Sequence, residues 1–251
     1  MSLSTHRADP GAVPAPASAS AVTAAGEGGR TAVGAVAVVL LVVGGLAYTN
    51  WVLQFVLPVR ADVSTSFISE LSATGQPFAD LFRSADLLGG VLLAAGGAAA
   101  WWSARVHRAV WTAVIALGLA VVWESAAPLR AAMTFGESVS TGGAASWFAR
   151  ATDMHGIASL ADTLSFLALL ALGLRAMHRT QVPARVRGAL AGVGVLAAVL
   201  GVAQMGQTVL FLVAGDTDAL GVVQRTQITL IGLWVAAVPA LLLVRARRAR
   251  H

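Results

Sequence analysis

The stretch Asp153-Met-His-Gly-Ile-Ala-Ser-Leu-Ala-Asp162-Thr-Leu-Ser165 opens an apolar run that continues to about Met177. That run is long enough to cross a bilayer as a helix. On a helix His155, Ser159 and Asp162, spaced four and three residues apart, share one face. Asp162 falls about 14 Å inside the run at 1.5 Å per residue, near the middle of a hydrocarbon layer about 30 Å thick. An ionisable group at that depth must face protein or trapped water, and it points to a functional site.

The rest of the chain supports a membrane reading. Its 251 residues are 57% hydrophobic and only 12% charged, with a mean hydropathy of +0.76. A soluble domain carries about twice that charge. Cysteine is absent, which removes disulfides, thiolate metal sites and cysteine nucleophiles together. All 17 basic residues are Arg. With the abundance of Ala and Gly, this points to a high-GC bacterial genome. The pI near 11.3 does not argue for nucleic acid, because the placement of the Arg residues explains it better.

Residues 1–30, rich in Ala, Gly, Pro, Ser and Thr, are expected to form a disordered tail. Arg30 precedes an apolar run from Thr31 to Leu57. That run is long for a signal-peptide core and no clear small-residue cleavage site closes it, so it reads as an uncleaved first span. Five more spans follow at about 85–103, 109–128, 154–177, 188–213 and 227–244. The fold class is therefore all-α: a polytopic bundle of six transmembrane helices over residues 31–245, followed by a basic C-terminus, 246–251. Twelve Arg residues fall on the side of the termini and five on the other. The positive-inside rule then predicts a bacterial cytoplasmic membrane protein with both termini cytoplasmic. Apart from Asp9 and Glu27, every carboxylate lies in an outer loop or inside a span.

Two outer loops are substantial. Residues 58–84 carry Phe67, Ile68, Leu71, Phe78, Leu81 and Phe82 at roughly helical spacing, as expected of short amphipathic turns folded onto the bundle mouth. Residues 129–152 are Gly- and Ser-rich, with Trp147 and Phe148 near their end. Trp51, Trp101, Trp102, Trp111 and Trp123 sit near span ends and read as interfacial belt residues. Gly89, Gly90, Gly96 and Gly97 in the second span, with Gly188, Gly192, Ala197 and Gly201 in the fifth, predict close helix packing within one chain.

The block Ile68-Ser-Glu-Leu-Ser-Ala-Thr-Gly-Gln-Pro77 follows the first span and precedes Asp86. Asp153-Met-His155 opens the fourth span, and Gly221-Val-Val-Gln-Arg225 leads into a sixth containing Trp234. With these elements the chain, over roughly residues 35–245, resembles the bacterial membrane proteins grouped as domain of unknown function 998. The resemblance implies six membrane helices and no established activity.

The polar candidates are Asp86, Glu124, His155, Ser159, Asp162 and Arg225 in or beside the spans, joined by Ser69 and Glu70 of the first outer loop. Asp86, Glu124, His155, Asp162 and Arg225 could project into one outward-facing cavity, together with Gln204 and Gln207. Asp86, Glu124 and Arg225 lie near expected span ends, where reaching water or pairing between helices is an equal explanation. A metal site could use His155 with Asp86, Glu70 or Asp162, but no His-x-x-x-His or Glu-x-x-His pair supports one, and no metal or cofactor is expected. Serine hydrolysis could use Ser159 or Ser69 with His155. Asp162, about 10 Å along the axis from His155, cannot complete a direct dyad. A carboxylate–histidine path would suit ion-coupled transport or ligand binding. The expected role is binding or transport of a small or lipid-like ligand within the lipid bilayer; the alternative is an intramembrane hydrolase of a lipid-like substrate.

Overall fold

A computed structural model describes residues 17–104, 106–129, 154–214 and 219–248. The described regular elements are six long helices and two short 3-10 turns: α1 (Ala17–Ala47), 3-10 turns at Asn50–Phe55 and Ile68–Ser72, α2 (Ala79–Ala104), α3 (Arg108–Ala126), α4 (Met154–Arg179), α5 (Ala184–Ala214) and α6 (Leu220–Arg248). Six helices are long and apolar enough to cross a membrane, and no strand occurs among the described residues. In hydrocarbon, where backbone groups find no water, helices satisfy their own hydrogen bonds. The fold class is as the composition predicts: an all-α, multi-pass membrane bundle. From residue 130 on, the stretch read as a second outer loop, with Trp147 and Phe148, lies outside the described residues.

Several boundaries differ from the hydropathy reading. Helix α1 begins at Ala17, within the stretch read as a tail, and it ends at Ala47, well before Leu57. Its stop has a local cause. Thr49 Oγ1 donates to Leu46 O at 2.7 Å and Asn50 Nδ2 to Ala47 O at 3.3 Å, so side chains take up carbonyls that the helix end leaves open. Trp51, Val52, Leu53 and Phe55 continue as a 3-10 turn, and their apolarity hides the break from a hydropathy scan. Helices α2 and α6 start earlier than expected. Asp86 and Arg225 therefore sit inside their helices rather than at the ends.

Helix α1 lies between α2 and α6; α2 packs on α3, α3 on α4, and α5 on α6, with α4 touching α5 and α6 more lightly. Glycine sets these approaches. A Cβ on Gly118 would stand 2.6 Å from Gly90 O, and one on Gly90 2.7 Å from Gly118 O, so α2 and α3 meet backbone to backbone. Gly89 and Gly96 face α1, whereas Gly90 and Gly97 face α3, which is packing inside one chain. In α5 the contact face is Gly194, Ala197 and Gly201; Gly188 and Gly192 have nothing within 4 Å. The core gathers around Trp234, fully buried, whose ring meets Phe166 edge-on at 6.2 Å and whose indole N–H donates to Leu190 O at 2.9 Å. Trp111 is also core, not belt: it is fully buried and its indole N–H donates to Val106 O at 2.7 Å.

The first loop folds onto the bundle. Phe67, Leu71 and Phe82 are buried, while Phe78 and Leu81 stay exposed. The Ile68–Ser72 turn packs on α2 and α6, and Thr74 N donates to Leu129 O at 3.0 Å just beyond α3.

Candidate functional site

Helix directions put the C-terminal ends of α1 and α3 and the N-terminal ends of α2, α4 and α6 at the loop end of the bundle. The polar candidates separate there into two groups.

The first group holds the acids of three helices. Asp162, buried, is about two turns into α4. Its Oδ2 accepts the Tyr48 hydroxyl at 2.5 Å, while Oδ1 has no hydrogen-bond partner among the described residues. Asp86 on α2 accepts from Asn50 Nδ2. Glu124, in the last turn of α3, accepts the Ser159 hydroxyl at 2.5 Å. The charges of Asp86, Glu124 and Asp162 are close enough to act on one another. His155 closes the group: its Nδ1 lies 2.9 Å from Ala127 O and its Nε2 3.7 Å from Glu124 Oε1. A carbonyl oxygen only accepts, so Nδ1 carries a hydrogen. Nε2 then faces the Glu124 carboxylate from beyond hydrogen-bond distance. Each acid is thus met by one neutral donor, and the described ion pairs place no Arg beside the group. Among the described residues no cluster of three or more His, Asp or Glu is arranged for a metal ion.

The second group surrounds Arg225, 2% exposed. Its Nη1 donates to Ser66 O at 2.7 Å and Gly221 O at 3.1 Å, and its Nη2 to Gln54 Oε1 at 3.0 Å. The guanidinium carbon lies 5.9 Å from the centre of the Trp51 ring, within cation–π range. The charges of Asp62 and Glu70 act on it. Asp62 tightens the loop that presents Ser66: its Oδ1 accepts the Ser64 hydroxyl at 2.5 Å, the Ser64 amide at 2.8 Å and the Thr65 amide at 3.0 Å. The Ser64 hydroxyl first, then these amides, hold the Asp62 carboxyl at a pKa of about 2. Gln224 accepts the Ile68 amide at 2.7 Å. Arg225 therefore clamps α6 to the first turn and loop.

Five of the sequence candidates, Asp86, Glu124, His155, Ser159 and Asp162, come together. Arg225 and Glu70 belong to the second group, and the described bonds do not pair Arg225 with Asp162. Ser69, half-buried, lies in the Ile68–Ser72 turn. Gln204 and Gln207 sit half-buried on α5. Cavities of about 370 Å³ at Gln76 and Arg83, and about 260 Å³ at Trp51 and Arg225, are not lined by Asp86, Glu124 or Asp162. Sequence reasoning missed Tyr48 and Asn50 as donors. Tyr48 is the one tyrosine in the chain, and its position where an apolar run turns polar was the available signal.

Fold and site together define a multi-pass helical membrane protein with an acid-rich polar group, including the buried Asp162, at one end of its bundle. The family described as "Protein of unknown function (DUF998)" matches residues 41–240, and the chain belongs to that family. No curated protein and no solved structure matches it.

Proposed function

We propose that this protein binds or transports a small or lipid-like ligand, with the acid group around the buried Asp162 as a proton-exchanging centre facing the outside of a bacterial cytoplasmic membrane. The observation that carries this reading is the Asp86–Glu124–Asp162 group, three acids from three helices met by the neutral donors Asn50, Ser159 and Tyr48 and by His155. A buried carboxylate such as Asp162 is costly without a fixed cation. A group of this kind takes up a proton or a cationic ligand, and so links occupancy to charge. The twelve-to-five division of Arg residues supports cytoplasmic termini and an outward-facing acid group.

Hydrolysis has less support. Ser159 gives its hydroxyl hydrogen to Glu124, and His155 Nε2 also faces Glu124, whereas a nucleophile–base pair needs the serine on the imidazole. Mass spectrometry of lipids and small molecules co-purifying with the parent and with Asp162→Asn tests the proposal. We expect a species retained by the parent to be lost from a variant that inserts and folds normally. Equal retention by both proteins overturns the reading.

A further inference from the structure

We propose that the cavity beside Arg225 is a binding site for the phosphate group of an amphiphile, with the Arg225 guanidinium as its donor. The site is separate from the acid group. Its cavity, about 260 Å³, has apolar walls from Trp51, Val63, Val222 and Leu230, and Arg225 forms part of its lining.

Hydrogen-bond supply and demand at this place are unequal. The guanidinium gives three bonds, to Ser66 O, Gly221 O and Gln54 Oε1, and its buried Nε has no partner among the described residues. Gln54 is also buried, and its Nε2 has no such partner. The Gln54 amide cannot be turned to supply an acceptor, because its oxygen is the atom that accepts from Arg225. Two residues joined by a hydrogen bond thus each keep one buried donor without an acceptor among the described residues, an arrangement that native interiors avoid.

The other polar groups of the lining do not meet this demand. Trp51 Nε1 donates to the Thr229 hydroxyl, Thr229 donates to Arg225 O, and Thr226 donates to Val222 O. A phosphate supplies several acceptor oxygens and the negative charge that a buried guanidinium favours. The setting selects the phosphate of an amphiphile over a free ion. Val52, Phe55 and Val222 are exposed near the cavity residues, a surface suited to acyl chains. Arg225 lies near the loop end of α6, where a membrane helix reaches headgroup depth.

The test uses the full-length, delipidated protein in detergent, with native mass spectrometry of bound phosphatidylglycerol and of diacylglycerol, which lacks the phosphate. Inorganic phosphate serves as the headgroup alone. The parent should hold phosphatidylglycerol at least about tenfold more tightly than diacylglycerol, as charge-assisted hydrogen bonds imply, and more tightly than inorganic phosphate. Arg225→Gln should abolish that preference. Because the clamp could fail with it, Thr226→Phe is the second variant: Thr226 is exposed and bonds only within its own helix, so Phe fills the cavity and leaves the guanidinium bonds in place. Its preference should fall to within about twofold. Equal retention of the two lipids by the parent overturns the phosphate assignment. Inorganic phosphate binding as tightly as phosphatidylglycerol overturns the amphiphile, and an undiminished preference in Thr226→Phe overturns the location.

Discussion

The bond from Tyr48 to Asp162 joins two helical segments that otherwise barely touch, so its strength can be read without much shared packing. Tyr48→Phe removes one oxygen and little volume. The carboxyl loses its 2.5 Å donor, and its other oxygen already has no partner among the described residues. A hydrogen bond to a charged group contributes about 1.5–3 kcal/mol, and a neutral one about 1 kcal/mol. We expect Tyr48→Phe to cost about 2 kcal/mol, which for a chain of this size lowers Tm by about 4–8 °C. In an Asp162→Val background the tyrosine hydroxyl has lost its acceptor, and the same change should cost close to nothing. Tryptophan fluorescence of the detergent-solubilised proteins gives the four midpoints of the cycle, and the coupling should be about 2 kcal/mol. If Tyr48→Phe shifts Tm equally in both backgrounds, the bond does not hold Asp162 and α4 loses its proposed tie to the segment that follows α1.

Two further outcomes follow from the loop and the orientation. Asp62, held at a pKa of about 2, is below the ordinary carboxylate value near 4. Its contribution should be complete above about pH 4 and lost as pH falls through about 2. Amide exchange at Ser64 and Thr65 should accelerate over that interval, and Asp62→Ala should show fast exchange at neutral pH; slow exchange there would remove the turn's role. For orientation, intact cells carrying Ser140→Cys should be labelled by an impermeant thiol reagent and those carrying Thr180→Cys should not; the opposite pattern reverses the proposed topology.

Hydropathy alone was enough to identify six membrane helices, because a bilayer demands runs of apolar residues about 20 long and α2 to α6 supply them within a few residues to about two turns of the expected ends. It failed at α1, where the stop is made by the Thr49 and Asn50 side chains against carbonyls while the following residues stay apolar. The face carrying His155, Ser159 and Asp162 was also legible, since helical spacing places residues on one side of one element. What lay opposite that face was not legible. Periodicity says nothing about the neighbouring helix, so only tertiary packing decided that Ser159 meets Glu124 and Asp162 meets Tyr48. The same limit governs Arg225. Its sequence advertises a charge in need of a partner, but the partners are carbonyl and amide oxygens of a loop and a turn far away in the chain. Long-range hydrogen bonds depend on where the backbone brings two distant segments together, and no local pattern encodes that.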